Sequence, residues 1–110
     1  MMKKNIKIRW EKVETTYTKA VYSLWYGEKE IASLSYYDNE WALIPYIYSD
    51  IIGKRYYREY NENEVSAIQF HVTLEIMAKL EKIGNECFDY CNAISDYIVE
   101  YLENSKNEIS

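Results

Sequence analysis

The spacing of apolar residues changes period once along this chain, at about residue 60, and that change restricts the fold more than any other feature. Before it, side chains alternate with period two, as in strands with one buried face. After it, apolar residues recur every three or four positions, as on amphipathic helices.

In the first part, Ile6, Ile8 and Trp10 alternate with Lys7, Arg9 and Glu11 and predict a strand. Thr15 to Tyr26 is rich in β-branched and aromatic residues and predicts a second, with Ala20, Tyr22, Leu24 and Tyr26 on one face. Gly27-Glu28-Lys29 is a turn, Ile31 to Tyr37 a third strand, Asp38-Asn39 a tight turn and Trp41 to Tyr48 a fourth strand. Pro45 has no N–H to give a ladder, which favours an edge position for that strand. Ser49 to Lys54, with Gly53 inside it, reads as a loop, and Arg55 to Tyr60 as a short fifth strand. Short connections between successive strands make an antiparallel meander the simplest topology.

In the second part, Asn61 and Glu64 have capping-box spacing, and Asn63 is a direct alternative cap. Val65, Ile68, Val72, Ile76, Leu80 and Ile83 follow as one stripe, and Phe70, Leu74 and Met77 as a second, so this helix is expected to meet the sheet on one side and another helix or subunit on the other. Gly84-Asn85 is a stop signal. A second helix is predicted from about Glu86 to Glu103, with Phe88, Cys91, Ile94, Ile98 and Leu102 inward and Tyr90, Tyr97 and Tyr101 flanking them. Residues 105–110 are polar and read as a frayed tail. The expected fold is one α+β domain: an antiparallel meander of four to five strands over residues 1–60, then two C-terminal helices over residues 61–104 packed on the sheet. A chain of 110 residues buries about two-thirds of its unfolded surface. It needs no metal or disulfide staple, and no cofactor is expected.

Composition and charge narrow the function. No stretch approaches the ~20 apolar residues of a membrane span, and Met1 to Lys7 lacks the apolar core of a signal peptide. The expected location is cytoplasmic, without a membrane partner. Abundant Tyr, Ile, Asn and Lys with scarce Gly, Ala, Arg and Pro match an AT-rich coding sequence, which points to a low-GC bacterium or its phages. Residues 1–60 carry ten Lys/Arg against eight Asp/Glu, and residues 61–110 carry three against ten. An acidic chain of this kind does not bind nucleic acid independently of sequence, because that affinity comes from neutralising phosphates.

Little in the chain suits catalysis. His71 is the single histidine and reads as structural. Cys87 and Cys91 share a helical face, but a closed zinc site needs four N or S ligands, so they read as reduced core thiols. Gly27, Gly53 and Gly84 are isolated, which excludes the dinucleotide fingerprint and the Walker loop. The carboxylates of the second half lie mostly on exposed helix positions and suit a solvated face.

Aromatic content is the unusual feature, with thirteen Tyr and three Trp. Such residues pack an apolar body and leave a polar tip for recognition, although β-propensity also favours Tyr in strands. The most specific local signal is Lys54-Arg55-Tyr56-Tyr57-Arg58-Glu59-Tyr60, where cations alternate with rings after a flexible loop. Lys54, Arg55 and Arg58 would pair phosphates while Tyr56 or Tyr57 stacks a base. Arg9 and Trp10 would join them if strands one and five approach. The competing reading is an edge strand guarded by its charges.

A sheet followed by two helices in a short Tyr-rich chain resembles, at the level of architecture, phage counter-defence sponges of the anti-Thoeris kind. The resemblance implies an oligomer that sequesters a cyclic nucleotide-type immune signal without chemistry. The expected function is therefore non-enzymatic sequestration of a small phosphate-bearing nucleotide by a homo-oligomer. The alternative is a protein-protein inhibitor that presents its acidic helical face to a host defence protein.

Overall fold

The computed structural model describes residues 6–15 and 20–109. Five strands, β1 (Ile8–Val13), β2 (Ala20–Tyr26), β3 (Lys29–Tyr37), β4 (Glu40–Pro45) and β5 (Arg55–Tyr57), form one antiparallel sheet in the order of the chain. A one-turn helix α1 (Ser49–Ile52) links β4 to β5. Helix α2 (Val65–Ile83), a 3₁₀ turn at Asn85–Cys87 and helix α3 (Phe88–Ile109) complete the chain. This is the expected α+β meander with two long C-terminal helices.

The turns have local causes. Asp38 and Asn39 take φ of 52° and 64°, the pair of positive angles that a type I′ hairpin needs and that short polar side chains tolerate. Gly27, at φ 60°, opens the β2–β3 turn. Across the sheet the register builds an inner row in which Ala20 faces Tyr36, Tyr36 faces Trp41 and Trp41 faces Tyr57. A parallel row sets Tyr22 against Leu34, Leu34 against Leu43 and Leu43 against Arg55. The α2 stripe of Ile68, Val72, Ile76 and Leu80 closes over these rows in one core. Trp41 sits at its centre, 0% exposed, and its Nε1–H donates to Asn61 O at 3.0 Å.

Several expectations are corrected. Pro45 does not mark an edge strand, because β4 lies between β3 and β5. Tyr46 N–H donates to Ile31 O on the β3 side, so the proline nitrogen points the other way, past the end of β5 where no ladder bond is required. Ser49 to Lys54 is not all loop, since Ile52 and Gly53 N–H groups close a helical turn onto Tyr48 and Ser49 carbonyls. The predicted second strand begins at Ala20, and residues 16–19 of that prediction lie outside the described residues. Asn61 and Glu64 do make the capping contact, Glu64 Oε1 accepting from Asn61 N–H at 3.0 Å, but around the turn that precedes α2.

On α3 the expected inward residues Phe88 and Leu102 are 59% and 49% exposed, while Ile94, also expected inward, is fully buried, as is Cys87 in the 3₁₀ turn before the helix. Helical rotation explains the exposure. Tyr101 lies seven residues from Ile94, within about 20° of its direction, whereas Phe88 and Leu102 are about 120° and 80° away. The predicted tail is also helical, to Ile109, with neither Gly nor Pro to stop it and Lys106 in the last turn; Ser110 lies outside the described residues. Among the described residues no helix is long and apolar enough to cross a membrane.

Packing of tyrosines between the layers leaves a titration signature. Burial pushes the Tyr97 hydroxyl up to about 12, with Tyr101 adding to the rise. Burial and donation to Glu75 raise Tyr57 as well. In the unfolded chain these phenols ionise near the usual value of about 10. Stability is therefore complete below that pH and is lost as pH rises from about 10 through 12, where only the unfolded state gives up its protons. Urea unfolding across this range is expected to show the decline, and Tyr97→Phe is expected to reduce its slope, with the Tyr57 contribution remaining.

Candidate functional site

The pleat of β5 decides where the predicted cationic and aromatic residues go. Arg55 and Tyr57 belong to the inner rows and turn toward α2, while Tyr56 between them projects from the opposite face, 62% exposed. Arg58, just past the strand, pairs with Glu40 at 3.0 Å. The sequence cluster is thus divided between two shallow clefts with Tyr56 and Glu59 on their common rim. One is lined by Lys54, Arg55, Tyr56, Tyr57, Glu59, His71 and Glu75 and encloses about 440 Å³. The other, lined by Glu40, Tyr56, Arg58 and Glu59, has a similar volume.

Arg9 joins neither cleft. Its strand is the far edge of the sheet, four strand intervals or about 19 Å from β5. There its guanidinium pairs with Glu11 at 2.9 Å and lies 5.5 Å from the Trp25 ring. Strands one and five do not approach because a meander with short turns adds each strand to the edge left by the last.

The floor of the first cleft is a hydrogen-bonded group centred on Glu75. Its Oε2 accepts from the Tyr57 hydroxyl at 2.5 Å and lies 3.5 Å from Arg55 Nη1. Its Oε1 lies 2.7 Å from His71 Nε2, and His71 Nδ1 lies 2.7 Å from the Tyr60 hydroxyl. A carboxylate only accepts, so Nε2 carries the proton toward Glu75, and in the neutral ring Nδ1 accepts from Tyr60. The imidazole also meets the rings of Tyr57 and Tyr60 edge-on at 5.3 and 5.5 Å. Both nitrogens are occupied in holding β5 and the segment after it against α2. From the sequence His71 reads as structural and Glu75 as part of a solvated face, although their four-residue spacing puts them on one helical face.

Electrostatically the cleft is mixed. Glu75 engages Arg55, whereas Lys54 has no ion pair or hydrogen bond among the described residues. Contacts of this kind, with Lys7 to Glu100 at 3.7 Å as another, join the basic and acidic halves of the chain. The thiols lie elsewhere. Cys87 is buried and Cys91 half-buried, both free, and burial with nearby Glu81 raises the Cys91 thiol, the opposite of nucleophile activation. No protein-family model, no curated protein and no solved structure matches the chain.

Proposed function

We propose that this chain is a binding protein that holds a small phosphate-bearing nucleotide in the cleft between β5 and α2 and sequesters it without chemistry. One observation carries the reading: an unpaired ammonium, an exposed aromatic ring and a carboxylate with spare lone pairs line the same cleft. Lys54 and the outer edge of the Arg55 guanidinium take the phosphate at the mouth. The Tyr56 ring stacks the base, and Glu75 or Glu59 accepts from ribose hydroxyls or an exocyclic amine. A volume of about 440 Å³ lies within the usual range for small-ligand sites. His71, with both nitrogens engaged, serves as a support rather than as a base in this reading.

Titration calorimetry with a panel of linear and cyclic nucleotides tests it. A member of the panel is expected to bind, with Lys54→Ala and Tyr56→Ala each weakening affinity by about tenfold or more. Arg58→Ala is expected to leave binding unchanged, because that side chain turns to Glu40 in the other cleft. Heat changes absent across the panel would end this reading.

A second reading draws on α3. Phe88, Val99 and Leu102 are exposed on a helix rich in carboxylates, and Met77, Glu81, Phe88 and Cys91 line a groove between α2 and α3. Those features suit a basic protein partner, as in inhibition of a defence complex. A silent nucleotide panel together with a salt-sensitive protein complex would favour it.

A further inference from the structure

The other edge of the sheet carries a self-complementary pattern. Among the described residues, β1 pairs with β2 alone. Gly27 N–H donates to Lys7 O, which fixes the alternation of the strand. Backbone groups of Lys7, Arg9, Glu11 and Val13 point to β2, and those of Ile8, Trp10 and Lys12 point outward. Three outward residues at every second position are what a new antiparallel strand requires. On the open face, Arg9 and Glu11 are about half exposed and two residues apart.

We infer that β1 pairs antiparallel with β1 of a second copy about a two-fold axis through Trp10. In this register Trp10 faces Trp10 of the partner subunit and Ile8 faces Lys12 of the partner subunit, and about six backbone hydrogen bonds form. Arg9 falls opposite Glu11 of the partner subunit, and Glu11 opposite Arg9 of the partner subunit. These are the non-hydrogen-bonded positions, where side chains come closest and opposite charges attract. Moving the axis one or two residues either way brings at least one like pair together: Arg9 to Arg9 (flanked by Lys7 to Glu11), Glu11 to Glu11, Lys7 to Arg9, or Lys12 to Lys12. Charge complementarity therefore favours a second copy in the register about Trp10, where no like charges meet.

The second copy makes one sheet continuous through both chains and leaves the β5 clefts at its two far edges. The pairing does not depend on the ligand reading, since β5 takes no part in it.

Sedimentation of the full chain from micromolar to millimolar concentration tests the pairing. The expected result is a reversible dimer, weakened by about tenfold or more in Arg9→Glu and in Glu11→Arg, where like charges face each other. Combining the two substitutions restores the dimer, because the charges are exchanged and again opposed. Amide exchange at Ile8, Trp10 and Lys12 is expected to slow as concentration rises, a readout in the unsubstituted chain that needs no variant to fold. A monomer throughout the range, a dimer indifferent to both single substitutions, or exchange independent of concentration would overturn the proposal.

Discussion

Trp41→Ala is expected to destabilise the fold by about 3–5 kcal/mol, the usual cost of truncating a large buried aromatic. The indole is fully buried, packs 5.2 Å from the Tyr36 ring and 6.2 Å from the Tyr22 ring, and links β4 to the segment before α2 by donating to Asn61 O. Alanine leaves a cavity at the centre of the inner row and a carbonyl without its donor. Trp41→Phe keeps most of the packing and loses the hydrogen bond, so a smaller loss is expected. Urea unfolding of both variants measures the difference. Near-equal stability of Trp41→Ala and the unsubstituted chain would show that the core does not centre on this residue.

Glu75→Ala is expected to cost about 2–3 kcal/mol, a large effect for a partly exposed side chain. The carboxylate is the common acceptor for Tyr57 and His71 and the ion-pair partner of Arg55, so its removal orphans donors on β5 and α2 together. Tyr57 is buried, and a buried hydroxyl without a partner loses its water without replacement. Adding Tyr57→Phe to Glu75→Ala therefore costs much less than Tyr57→Phe alone, a coupling that a double-mutant cycle reads directly. Strict additivity would refute the network. Nucleotide affinity should fall in parallel with Glu75→Ala, because β5 is no longer held against α2.

Much of the fold was legible in the sequence. Alternation from Ile6 to Glu11 reports a strand, which in the structure runs Ile8–Val13 with Ile6 40% exposed, whereas β3 buries the consecutive residues Ile31 to Leu34 on both faces; Asp38-Asn39 reports its turn through the positive φ those residues tolerate. The stripe from Ile68 to Leu80 is the inner face of α2 in the structure. Misreadings fell at the ends of elements. Spacing alone places Phe88 and Leu102 on the inner stripe, but six and eight residues from Ile94 they have rotated about 120° and 80° away from it. The site was partly legible. Lys54, Arg55, Tyr56 and Tyr57 do line one cleft, yet Arg58 is turned away by the pleat, Arg9 is on the far edge, and Glu75 is marked only by its contacts to Tyr57 and His71 in the folded chain.

Local pattern was enough for the kind of each element, the hairpin turns and the face each strand or helix buries, because such preferences act between residues a few positions apart. Which side chains meet across elements was settled only when the layers packed. Tyr57 finds Glu75 eighteen residues away, and Trp41 finds Asn61 twenty away. Periodicity names the face that turns inward but not the partner waiting there, since many partners would bury the same apolar area and only one arrangement also satisfies the polar groups carried in with it.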